Sequence, residues 1–240
     1  MSLSRGIALV ALAMGLGAAT ACSNGDGDGD AGPTAPSPGH LTGGGATASI
    51  QAPPTPEGPG LTAPGIRLAA VPRGDGSFDI TEDLVARSAV TSLPLRLPDS
   101  GEELPGMMTA TKPTVTDLTV IADGDPVPVD QAVVSGPRDL PMITAPTRFK
   151  LTYRLRGSVV RRIPSTTGRA SAAIKPLTSE LDGTLPTDLV VSGGGLQNAI
   201  CPLLTETRCA VGEPPGMAVQ QGIPASQALA VLQLDLPLQP

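Results

Sequence analysis

The clearest signal along the chain is alternation with a period of two. From Arg148 to Arg156, Phe149, Leu151, Tyr153 and Leu155 alternate with Arg148, Lys150, Thr152, Arg154 and Arg156. An extended backbone places these apolar side chains on one face and the basic ones on the other. The pattern predicts a half-buried strand in an antiparallel sheet with one solvated side. Gly157 and residues 158–163 follow, and because Arg161 and Arg162 break the alternation, a continuation through a β-bulge is expected. Runs over 66–71, 77–80, 84–97, 115–121, 169–175, 187–191 and 228–236 read as further strands. Pro94 marks the run 84–97 as an edge strand or as two shorter ones. The last run begins as a good helix former, but Leu232, Leu234 and Leu236 alternate with Gln233 and Asp235, which favours a strand at its end.

Turn signals separate these runs, among them Arg73-Gly74-Asp75-Gly76, Asp123-Gly124-Asp125-Pro126 and Leu181-Asp182-Gly183. Seven or eight strands joined by Gly/Pro loops predict an all-β domain over 66–240, an antiparallel β-sandwich of immunoglobulin-like appearance. Composition agrees: 29 glycines and 27 prolines in 240 residues leave little room for long helices. With no Trp, one Tyr and two Phe, the core must be packed by Leu, Val, Ile and Ala. Tyr153 is expected to anchor the core edge. The same scarcity excludes an aromatic stacking platform for nucleic acid and an aromatic-rich carbohydrate cleft. The formal net charge of −6 also argues against nucleic acid as a partner.

The N-terminus reads as a targeting segment. Arg5 precedes the apolar run 6–17, which is too short to span a bilayer, and Ala18-Ala19-Thr20-Ala21 then leads directly to Cys22. This arrangement resembles a bacterial lipoprotein precursor, whose lipobox of small residues precedes an invariant cysteine. Ala19 stands where Leu is usual in that family and Ala is tolerated. The resemblance covers 1–22 and implies that 1–21 is a signal peptide and that the Cys22 thiol is lipidated, with palmitate-type chains. It further implies that the mature chain is held through its lipid anchor at the extracytoplasmic face of the cell membrane. Two or three acyl chains on one residue make a lasting anchor, where one alone binds marginally. The alternative is an ordinary secretory signal that ends beside a cysteine.

Composition changes after Cys22. Residues 23–65 carry four acids, no Lys or Arg, and almost no large apolar residue. Such a stretch cannot bury enough surface to offset its ordering entropy, so 22–65 is expected to be a lipidated cysteine followed by a disordered linker. Asp26, Asp28 and Asp30 alternate as at the start of an EF-hand loop, but Ala31 and Ser37 stand where glycine and glutamate are required. His40, the one histidine of the chain, lies in the same linker. No metal and no cofactor is expected.

Cys201 and Cys209 form an even pair suited to an oxidising compartment. A bridge between them would stabilise the fold by about 2.6 kcal/mol on the chain-entropy estimate. A metal site is the rival, but two thiols without histidine do not make a four-ligand zinc site.

The candidate chemistry is mainly subtractive. No histidine lies in 66–240, so Ser-His-Asp and Cys-His mechanisms lack their base, and neither G-x-S-x-G nor S-x-x-K occurs. The glycine run 193–195 lacks the rest of a phosphate-binding loop. Paired carboxylates remain: Glu102 with Glu103, Asp123 with Asp125, and Asp182 with Asp188. The basic strand face of Arg148, Lys150, Arg154 and Arg156 could instead dock an anionic envelope polymer or protein. Its rival is a solvated face whose cations pair with acids on neighbouring strands. The expectation is therefore a membrane-anchored envelope lipoprotein carrying a non-catalytic binding module, the alternative being a small envelope hydrolase using paired carboxylates.

Overall fold

In the computed structural model, inward-pointing aliphatic positions from two sheets meet in one core. The structure describes residues 56–236, except 102, 108, 131, 162–167 and 194. Residues 1–55, which hold the expected signal peptide, Cys22, His40 and most of the expected linker, and Glu102 lie outside the described residues. Among those described there is no α-helix, only one turn of 3₁₀ helix at Ala225–Gln227. The body is all-β.

The larger sheet contains seven strands. Along the chain they are β1 (Gly65–Pro72), β2 (Phe78–Val85), β4 (Thr114–Ala122), β5 (Asp125–Val127), β7 (Arg148–Arg156), β10 (Pro186–Val191) and β14 (Ile223–Pro224). Their spatial order is β14-β10-β1-β2-β7-β4-β5. The second sheet, ordered β11-β15-β9-β8, uses β8 (Val159–Arg161), β9 (Arg169–Ile174), β11 (Leu196–Ile200) and β15 (Ala230–Asp235). Two small ribbons complete the body: β3 (Ser92–Leu95) with β6 (Arg138–Pro141), and β12 (Ala210–Val211) with β13 (Ala218–Val219).

Alternation explains how the sheets share a core. Phe149, Leu151, Tyr153 and Leu155 of β7 are buried with Phe78, Ile80 and Leu84 of β2 and Ile66, Leu68 and Ala70 of β1. They belong to one cluster with Ala170, Ala172 and Ile174 of β9 and Ala230, Leu232 and Leu234 of β15. Each large aliphatic side chain buried there contributes roughly 1.5–3 kcal/mol. Two mainly antiparallel sheets around a common core are consistent with a β-sandwich.

Three departures from the sequence reading have physical causes. The pairing is not antiparallel throughout: β1 and β10 run parallel, with Ile66 opposite Thr187 and Leu68 opposite Leu189. Parallel pairing needs a long crossover, which the chain between these strands supplies. The region after Gly157 is not a bulged continuation of β7. Gly157 has φ +67°, and β8 beyond it pairs with β9 in the other sheet, so the chain changes sheets at this glycine. The run 84–97 is split between the end of β2 and β3, whose Pro94 lies opposite Asp139 on a two-stranded ribbon.

Residues 58–63, assigned to the linker by composition, form a hydrogen-bonded turn in which the amides of Leu61, Thr62 and Ala63 all donate to the Gly58 carbonyl. Arg148 Nη1 donates to the Leu61 carbonyl at 3.0 Å and ties this turn to the sheet.

Candidate functional site

The outer face of the seven-stranded sheet carries the basic stripe foreseen from sequence, and its neighbours change its character. Strand registers set Asp188, Arg67, Asp83 and Lys150 side by side across β10, β1, β2 and β7. That row alternates in sign. Two residues along each strand, Thr81, Thr152 and Thr119 form a neutral row, in which the hydroxyls of Thr119 and Thr152 are 2.5 Å apart. Two residues further still, Arg154 Nε donates to Asp79 Oδ1 at 2.9 Å, while Arg73 Nη1 donates to Asp79 Oδ2 at 2.6 Å. Of the four cations on β7, Lys150 and Arg154 therefore face acids one strand away, Asp83 and Asp79, while Arg148 lies opposite Val85 and Arg156 opposite Thr114. Such cross-strand pairs stabilise the sheet locally, each by little where solvent screens it.

The protonation behaviour follows. The hydrogen bond from Arg73, then that from Arg154, holds the Asp79 carboxyl below its usual range. Asp75, in the β1–β2 turn, is lowered first by the hydroxyl of Ser77 and then by its amide, with Arg73 and Arg156 adding to the effect. Asp83 moves the other way: partial burial raises it, against the opposing charges of Lys150 and Arg67.

At one end of this face Asp83, Arg148 and Lys150 line a shallow cleft of about 320 Å3, bordered by Gly60 and Leu61 on one side and Asp123 and Gly124 on the other. Arg148 and Lys150 are exposed. The cleft thus offers two cations beside a half-buried carboxyl whose proton is held more firmly than usual. Such a charge pattern could meet an anionic group next to a hydrogen-bonding one.

Three of the carboxylates singled out as catalytic candidates, Asp123, Asp182 and Asp188, are engaged in local structure. Asp123 Oδ1 accepts the Arg148 amide at 2.9 Å, and both its oxygens lie 3.3 Å from the Thr147 amide. Asp182 accepts the amide and hydroxyl of Thr184 and pairs with Arg87 at 2.6 Å; the Thr184 hydroxyl is the first cause of its lowered proton affinity. Asp188 accepts the Gly222 amide at 2.9 Å. Asp182 and Asp188 thus serve separate turns.

Sequence reasoning overlooked the one acid buried in the core among the described residues. Glu82, on the inward face of β2, is fully buried. It accepts the amides of Leu177 and Thr178 at 2.8 and 3.0 Å, the Thr178 hydroxyl, and the Tyr153 hydroxyl at 3.1 Å. Burial raises its pKa, against those four donors. Tyr153 is pushed well above its ordinary value, first by burial and then by the Glu82 charge. Glu82 ties the larger sheet to the segment following β9. The available signal was its parity with Phe78, Ile80 and Leu84.

Cys201 and Cys209 are bonded, with a Cα–Cα distance of 5.7 Å, and both are buried. Among the described residues no group of three or more His, Cys, Asp or Glu side chains could hold a metal ion. No helix among them is long and apolar enough to cross a membrane.

No family model matches the chain, and no curated protein matches it. Among solved structures, the crystal structure of an aminopeptidase N family protein from Idiomarina loihiensis aligns over 70% of this chain and 29% of its own, with a TM-score of 0.38 and 12% identity. The chain spans less than a third of that protein, and a likeness this distant carries no argument about fold or chemistry.

Proposed function

We propose that the protein is a lipid-anchored lipoprotein of a bacterial envelope, extracytoplasmic, whose immunoglobulin-like β-sandwich is a non-catalytic binding module. The observation that carries the reading is the pairing of the cysteines. The chain has three. Cys201 and Cys209 are consumed in a disulfide, the state of thiols in an exported protein. Cys22 is left over, at the end of the small-residue run that resembles a lipobox. The binding role draws on the cleft at Arg148 and Lys150, whose exposed cations would meet an anionic group of an envelope component.

The anchor is tested by growth with labelled palmitate. Label is expected in the wild-type chain and absent from Cys22→Ser, which should leave the membrane fraction; retention of that variant in the membrane would sink the anchor. The binding role is tested by crosslinking in intact envelopes with Arg148, Lys150, Arg154 and Arg156 reversed in sign. Loss of salt-sensitive partners supports the role, and an unchanged set of partners removes it.

A further inference from the structure

The opposite side of the body holds a second pocket, in which a single guanidinium stands among amide and hydroxyl side chains and no carboxylate is among the described residues that line the wall. On the outer face of the four-stranded sheet, register sets Asn198, Gln233, Ser171 and Val160 in one row across β11, β15, β9 and β8. A register shift between Leu196 and Asn198 adds Gln197 to that row as an extra residue, the usual way a bulge re-aims a side chain. Arg169 lies two residues from Ser171 on the same face of β9. Gln197, Gln233, Ser171 and Arg169 line a pocket of about 370 Å3, closed on one side by the backbone at Gly106.

The loop that brings Gly106 there is held at its neck, where the Thr111 amide and hydroxyl both donate to the Ser100 carbonyl at 2.6 Å. Gly106 has φ +87°, and a Cβ on it would stand 3.0 Å from Ile200 Cδ1 and 3.2 Å from Val231 Cγ1. A glycine lets the loop lie directly on the sheet beside the pocket.

We propose that this pocket binds a small carboxylate that also carries hydroxyl or amide groups. Among the described lining side chains the only full charge is the Arg169 guanidinium, which matches a carboxylate in two parallel hydrogen bonds. Asp235 faces Arg169 in register, yet the two form none of the ion pairs among the described residues. Gln197 and Gln233 each offer donors and an acceptor, which suits hydroxyl and amide groups and not a hydrocarbon. Gln197 spends one N–H on the Gly195 carbonyl at 3.3 Å. Ser171 is nine-tenths buried and lines this pocket, so a ligand there would share its small exposed surface. An apolar ligand would leave these groups desolvated and unpaired, at a cost in affinity. With no aromatic ring in the lining, recognition rests on hydrogen bonds and charge. The volume admits one sugar ring or a dipeptide.

This chemistry has two sources, an acidic sugar or the C-terminus of a short peptide. The test uses the full chain and ligand-observed NMR with glucuronate and N-acetyl-alanyl-alanine, against glucose and N-acetyl-alanyl-alanine amide. One of the two acids is expected to bind, with its neutral counterpart about tenfold weaker or more. Arg169→Gln and Gln233→Ala should each weaken it about tenfold, with circular dichroism and melting temperature unchanged, while Arg208→Gln, exposed and in neither pocket, leaves binding intact. Which acid binds identifies the source. The proposal is overturned if neither acid binds at about 10 mM, if the neutral counterpart binds equally, or if both pocket variants bind like wild type.

Discussion

Glu82 shows how a single residue couples burial to pH. Four groups donate hydrogen bonds to it, which suits an ionised carboxylate, while the loss of water disfavours that charge and raises the pKa. A native pKa above the unfolded value means that the folded state binds the proton more tightly. Stability from this group is then full below the ordinary glutamate value of 4.5 and falls as pH rises through the higher folded value. Asp75, Asp79 and Asp182 run the opposite way. Their lowered values give stability that is present above 3.8 and lost as pH falls through the folded values. Thermal melts across about pH 3–8 are expected to show both limbs. Glu82→Gln should flatten the upper limb and spare the lower one. It should also cost about 1–3 kcal/mol, because its amide hydrogens oppose existing donors. An unchanged upper limb would show that another group titrates there. Glu82 was hard to see in the sequence because Glu82-Asp83 reads as a solvated pair that ends the strand at Ile80. What extends β2 to Val85 is a set of donors nearly a hundred residues away.

At the level of elements, strands that alternate were legible and strands that exist only by pairing were not. Arg148–Arg156 was read with its bounds because four apolar and five polar positions alternate without exception. By contrast β5, β6, β12, β13 and β14 span two to four residues each, too short for any period to register. Their prolines carry another meaning: Pro126 in β5 and Pro224 in β14 sit on the two outermost strands of the larger sheet. A proline there removes a donor that a further strand would need, which protects an open edge. The bulge expected after β7 occurs instead in β4, where the register shifts between Thr116 and Thr119 and Asp117 adopts φ +58°. Gly157 has the different task of passing the chain between sheets, and a Cβ on it would run into the Lys112 carbonyl oxygen. Gly157→Ala combines that clash with a left-handed backbone and should destabilise by about 1–3 kcal/mol. Asp117→Gly relieves the left-handed strain and gives up only an exposed hydrogen bond from the Thr116 hydroxyl at 3.1 Å, so it should be neutral or stabilising by up to about 1 kcal/mol. Chemical denaturation of the two variants checks the contrast, and equal effects would mean that the crossing at Gly157 is not sterically confined.

For the whole molecule, composition revealed more than pattern did. Three aromatic residues in the entire chain imply an aliphatic core, and Phe78, Phe149 and Tyr153 indeed stand among many Leu, Val, Ile and Ala side chains. The candidate sites were less legible. The basic stripe on β7 could be read from one strand, but the acids that answer it come from neighbours whose register the sequence does not announce. The polar row at Ser171 and Gln233 likewise exists only once β9 and β15 are paired. The disulfide belongs to this scale too, since it closes a loop of separation 8 against a core that two sheets already complete. Its contribution should therefore add to the fold without being a condition for it. Replacing Cys201 and Cys209 together by Ala should lower unfolding stability by about 2.6 kcal/mol on the chain-entropy estimate, plus a smaller loss of buried contacts, while far-ultraviolet circular dichroism stays that of a β protein. Because both cysteines are buried, thiol reductant should leave the native bond intact and attack it only once denaturant opens the body. Equilibrium unfolding with and without reductant separates the cases. Reduction of the bond in the absence of denaturant would mean that the 201–209 loop opens locally, and that the body is less continuous there than its buried contacts imply.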